Sequence, residues 1–151
     1  MTTTVIGWVN LKLQLYEARL RLRDPGPALL GPVADGVRES FANQFQSTGG
    51  YGGSPWKPLA ASTAQRTGRW VPLQATGTLW RSLAVKGAPH GYAELRDPWT
   101  LAVGTTDPVA PFHQLGTRKM PKRPLVPPVI PDADRDRWAS LAVDYILEGH
   151  L

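Results

Sequence analysis

Glycine and proline limit what this chain can build. There are 15 of each among 151 residues, about a fifth of the sequence against roughly 12% in ordinary proteins. They gather at 24–32, 49–58, 87–91 and 108–131. Proline fixes φ and restricts the residue before it, and glycine weakens helices and strands alike. Regular elements are therefore confined to the intervals between clusters, and long irregular segments must join them. Irregular segments of that length are commonly functional or held by a partner.

The intervals read as follows. Residues 8–23 alternate like a strand at Val9, Leu11, Leu13 and Leu15. Trp8, Leu11, Leu15, Ala18 and Leu22 also fall at helical spacing, and the supply of Leu, Arg, Gln and Glu favours a helix from Leu11 onward. Asp24-Pro25-Gly26-Pro27 stops it. A second helix runs from Pro27 or Pro32 to Gln46, with Leu29, Leu30, Val33, Val37, Phe41 and Phe45 on one face; Pro32 sits in its first turn or kinks it. Residues 47–72 form a long loop with a helical turn near Ala60–Gln65, and Trp56 and Trp70 pin it to the body or to a neighbour. Leu83–Lys86, Tyr92–Arg96 and Trp99–Val103 read as three strands of a meander, turning at 87–91 and at Asp97-Pro98. Residues 116–131 are an extended basic, proline-rich arm after a buried-looking Phe112-His113-Gln114-Leu115 run. Residues 132–148 form a C-terminal helix with acids in its first turn and an apolar stripe of Trp138, Leu141, Ala142 and Tyr145. One domain of α+β class is expected: a small antiparallel meander packed against two or three helices, with long Pro/Gly-rich loops.

Charge is unevenly placed. The net charge is +5, yet no acid occurs between Glu39 and Glu94, where Lys57, Arg66, Arg69, Arg81 and Lys86 fall. Arg118, Lys119, Lys122 and Arg123 form a cationic run without an acid. The segment 132–148 reverses the sign with Asp132, Asp134, Asp136, Asp144 and Glu148. Such asymmetry suits contact with nucleic acid or head-to-tail contact between copies of one subunit.

Catalytic signatures are missing from the sequence. With no cysteine there is no disulfide or thiolate metal site, which fits synthesis in a cytoplasm. His90, His113 and His150 have no ligand spacing, and neither G-x-S-x-G nor a phosphate-cradling loop occurs. Gly49–Gly53 resembles a phosphate loop only in composition. Asp132, Asp134 and Asp136 lack the glycine and closing glutamate of a calcium loop. No enzyme, metal or cofactor is expected, and no apolar run approaches bilayer length. The N-terminal residues show no signal-peptide pattern. Arg66, Arg69, Arg81 and the 118–123 cluster, with Trp70 and Trp80, have the chemistry of a nucleic-acid backbone contact but no base-reading motif.

The order of short motifs adds a resemblance. Phe45 is followed by the glycine-rich gap, then Trp56-Lys57-Pro58-Leu59 with Thr63 and Arg66. Next come Leu73-x-x-Thr76-Gly77-x-Leu79-x-x-Ser82-Leu83 and Val103-Gly104-Thr105. Ala110-x-x-His113-Gln114-x-Gly116-Thr117 and Pro121-x-Arg123-Pro124 close the series. Over about residues 41–128 this resembles the phage virion morphogenesis family, the tail completion proteins similar to Mu protein G. The resemblance implies a structural virion protein of the tail or neck, assembled as a ring, with six-fold symmetry the usual expectation. Its partners would be the tail tube protein and the head–tail connector, with packaged DNA passing close by. On that basis Trp56, Trp70, His113, Arg118, Lys119, Lys122 and Arg123 are expected at subunit or partner interfaces, and Arg66, Arg69 and Lys119 along a DNA lumen. A non-specific nucleic-acid-binding module is the alternative, and a hydrolase in an unfamiliar fold stands behind it.

Overall fold

The computed structural model describes Thr3–Leu73 and Ala75–Gly149, with side chains from Leu13 onward. His150, and the side chains of Trp8, Val9 and Leu11, lie outside the described residues. Helix α1 spans Thr3–Arg23. It ends where Asp24 Oδ1 accepts the Gly26 N–H at 3.2 Å and Pro25 withholds a donor. A short turn, α2 (Gly26–Ala28), leads into a wide π-type turn at Leu29–Val33 and then α3, Ala34–Gln46. Gly31 leaves the helical region (φ −92°, ψ −109°) just before Pro32. Proline thus kinks the helix instead of opening it, because its ring clashes with the preceding turn and it cannot donate.

Helix α3 is the spine of the core. Phe41 and Phe45 meet Trp56, Leu79, Leu83, Ala110 and Leu125 in one buried cluster. Helices α4 (Ala61–Thr67) and α5 (Thr78–Ala84) follow, then strands β1 (Gly91–Asp97) and β2 (Thr100–Thr105). The strands pair antiparallel from Gly91↔Thr105 to Asp97↔Thr100, with an irregularity between Leu95 and Asp97. Helices α6 (Ala110–Leu115) and α7 (Asp132–Glu148) complete the chain.

The α+β class holds, but the meander reduces to a hairpin. Residues up to Ala84 in the expected first strand belong to α5: Leu79, Ser82 and Leu83 are buried together at helical spacing. Trp99 lies in the β1–β2 turn and is exposed, its N–H held by Asp97 Oδ1 at 2.9 Å, so it does not cover the helices. The Phe112–Leu115 run is not buried either. It forms α6, with Phe112 and Leu115 outward. Helix α7 turns Trp138, Leu141, Ala142 and Tyr145 inward, but none of its residues is fully buried.

Candidate interaction surface

The basic arm does not leave the body; it crosses it. Residues 123–128 alternate between inward and outward: Arg123, Leu125 and Pro127 are buried, Val126 and Pro128 exposed. That is the period of an extended chain lying on a surface. Its anchor is the Pro124 carbonyl, which accepts the Gln44 amide at 3.0 Å and the Trp56 indole N–H at 2.9 Å. Arg123, 6% exposed, donates from Nε to the Lys57 carbonyl at 2.9 Å and from Nη2 to the Pro58 carbonyl at 3.1 Å. Burial holds its guanidinium below the ordinary value. Gln114 Oε1 accepts the Leu125 and Val126 N–H groups at 2.8 and 3.1 Å.

The glycine-rich loop exists to receive this arm. Gly49 (φ +93°) lies under Trp56, and a Cβ there would stand 2.3 Å from the indole; at Gly52 it would stand 2.3 Å from the Val129 carbonyl oxygen. Trp56 meets Phe45 edge to face, ring centroids 5.3 Å apart. Trp56 and Arg123, expected at an interface, are therefore internal fasteners. The reasons are an indole only 6% exposed and a guanidinium spent on backbone carbonyls. Sequence reasoning overlooked Gln44, 1% exposed, which closes the same junction. An amide on the inner face of an amphipathic helix was the available signal.

His113 sits on α6 facing a cleft with Leu59, Leu79, Met120 and Arg123. Its Nδ1 is buried and finds no partner among the described residues. Burial lowers its pKa below 6.5, the Arg123 charge lowers it further, and Asp107 opposes both. The imidazole is thus held neutral, as a packed residue. Among the described residues no group of three His, Cys, Asp or Glu could hold a metal ion.

The remaining named residues face solvent. Trp70 is 67% exposed, and Arg66 and Arg69 stand beside it, Arg69 donating to the Ala75 carbonyl. Arg118, Lys119 and Lys122 ring the turn after Gly116, and among the described residues they make no ion pair. An apolar groove of about 530 Å³ opens between β2, α6 and the arm, lined by Val103, Leu115, Leu125 and Val126. On α1, only Ala18 and Arg21 are shielded between Leu13 and Arg23; Leu13, Leu15, Tyr16, Leu20 and Leu22 are exposed.

No helix among the described residues is long and apolar enough to cross a membrane. No protein-family model, no curated protein and no solved structure matches this chain.

Proposed function

We propose that this chain is a structural protein of a tailed bacteriophage virion. In this role it is a tail completion, or terminator, subunit that assembles as a ring, caps the tail tube and joins it to the head connector. The observation that carries the proposal is the unburied surface. A monomer whose α1 is exposed along most of Leu13–Arg23 and whose 17-residue α7 has no buried residue is short of neighbours. Ring subunits have two per copy. The motif order from Phe45 to Pro124 supplies the class of assembly, a hexamer being the expected size. In that ring Arg66, Arg69 and Lys119 would line the passage for DNA, their charge screening phosphate as it moves through.

The test is the mass of the purified protein by light scattering, with negative-stain images of the same fraction, alone and with tail tubes added. A ring, or a monomer that becomes a ring on the tubes, is expected. A monomer indifferent to tubes that binds random duplex with a steep salt slope would overturn the proposal in favour of a nucleic-acid-binding module. The exposed Arg66, Arg69 and Trp70 have chemistry suited to that outcome.

A further inference from the structure

The junction that fastens the arm also gathers positive charge. Arg123 donates to the Lys57 and Pro58 carbonyls, so the backbone at Lys57 runs against the arm. Lys122 precedes Arg123 on that arm. Extended chain sends neighbouring side chains to opposite sides, and here Arg123 is buried while Lys122 is exposed. Lys57 and Lys122 then line one open cleft of about 440 Å³ between the glycine loop and the arm. No acid lines that cleft, and among the described residues neither lysine makes an ion pair.

Two ammonium groups on one concavity, with the buried guanidinium of Arg123 next in the chain, repel one another. No carboxylate in the cleft relieves them, so the missing counter-charge has to come from outside. The glycine loop brings further donors to the same wall: the Ser54 hydroxyl and the N–H groups of Gly53 and Ser54, which have no acceptor among the described residues. Backbone N–H groups in a turn, together with a lysine, are the usual means of holding an anion. The kind of anion follows from the kind of cation. A planar carboxylate is best met by the two-pronged guanidinium of arginine, and Arg123 has spent its own on carbonyls. Lysines act as point charges with rotatable donors, which suit the tetrahedral oxygens of phosphate. The volume lies in the range of small-ligand sites, about 300–1,000 Å³, so a phosphate with part of its sugar fits.

We propose that the cleft between Lys57 and Lys122 binds a phosphate group, carried by a free nucleotide or by a nucleic-acid strand. Lys57 and Lys122 supply the charge, and the Gly53–Ser54 segment supplies neutral donors. The site is complete within one copy and does not rest on the ring reading.

The test compares the wild type with Lys57→Gln plus Lys122→Gln. Both side chains are exposed, so melting curves in chloride should coincide. Inorganic phosphate at about ten times its Kd should raise the wild-type midpoint by about 3–6 °C over chloride of equal ionic strength. Phosphate strengthens any fold by exclusion from its surface, so the reading is the part of the rise that the variant loses. Arg118→Gln plus Lys119→Gln removes the same charge outside the cleft and should keep the full rise. Fluorescence anisotropy with a short labelled oligothymidylate reads the strand: the Lys57/Lys122 variant should bind at least about tenfold more weakly, with a salt slope smaller by about 1.4. A variant-dependent rise with inorganic phosphate alone assigns a free phosphate or nucleotide, and a variant-dependent oligothymidylate affinity assigns a strand. Equal phosphate shifts together with equal oligothymidylate affinity in wild type and variant would overturn the site. Polyglutamate competing as well as oligothymidylate would overturn phosphate as its ligand. Light scattering of the same samples reports ring formation separately, so a ring indifferent to phosphate sinks this proposal alone.

Discussion

Replacing Gln44 tests whether the arm is part of the cooperative fold. Its amide donates to Pro124 and its carbonyl oxygen accepts the Gly52 N–H at 3.3 Å, so one side chain holds both the glycine loop and the arm to α3. In Gln44→Leu the volume is kept and both bonds are lost. The Pro124 carbonyl keeps the Trp56 indole, so that loss is about 1 kcal/mol net, whereas the buried Gly52 N–H has no second partner and its stranding costs about 1–3 kcal/mol. The expected total is about 2–4 kcal/mol, or a melting midpoint lower by about 4–16 °C. Gln44→Glu keeps shape and the acceptor but sets a carboxylate against the Pro124 carbonyl. It should be less stable near pH 8 than near pH 5, where the protonated carboxyl can donate again. Denaturant unfolding with circular dichroism measures both, with the m-value unchanged if the arm unfolds with the body. Two variants within about 0.5 kcal/mol of the wild type, or a faster tryptic cut after Lys122 at an unchanged midpoint, would refute the reasoning.

Two further outcomes follow from single contacts. His113 is shifted below its ordinary 6.5 chiefly by burial, so the unfolded chain takes up its proton first. Its contribution to stability is present above about pH 6.5 and is lost as pH falls toward the folded-state value. The melting midpoint should drop between about pH 7.5 and pH 5.5, and less so in His113→Gln; equal slopes would exclude the effect. Gly36→Ala places a Cβ 2.7 Å from Trp138 Nε1. Overpacking of about 1–3 kcal/mol outweighs the helix preference of alanine, about 1 kcal/mol, so α7 should loosen and Trp138 fluorescence should change, while an unchanged spectrum would show that the indole yields freely.

What the sequence could show tracks how local the cause is. The helix over Ala34–Gln46, the turn over Ala61–Thr67 and the C-terminal helix follow from period, caps and acids placed within a few residues, and they were legible. Helix α5 was not, because seven residues with one Ser-Leu-Ala-Val stretch fit either period, and packing of Leu79 and Leu83 on α3 decided between them. Helix α6 hides behind Pro111, which opens a helix as readily as it ends one. The arm was legible as extended but not as docked. Its fasteners, Gln44 and Trp56, lie far upstream, and only the alternation of Arg123, Leu125 and Pro127 hinted at a buried side. For the same reason Trp56 and Trp70 looked equivalent in sequence, yet one is enclosed and the other bare.

The junction at Pro124 also sets a clock on biosynthesis. Its two donors lie 80 and 68 residues upstream. At ribosomal rates of roughly 5–20 residues per second, Gln44 and Trp56 wait several seconds before their acceptor is even made. During that interval the indole and the amide can bond only to water, which the Pro124 carbonyl later replaces. Closing so long a loop is entropically slow as well. The last quarter of the chain therefore acts as the bolt on a door already hung, and a nascent chain stalled before it would be the form most exposed to chaperones and proteases.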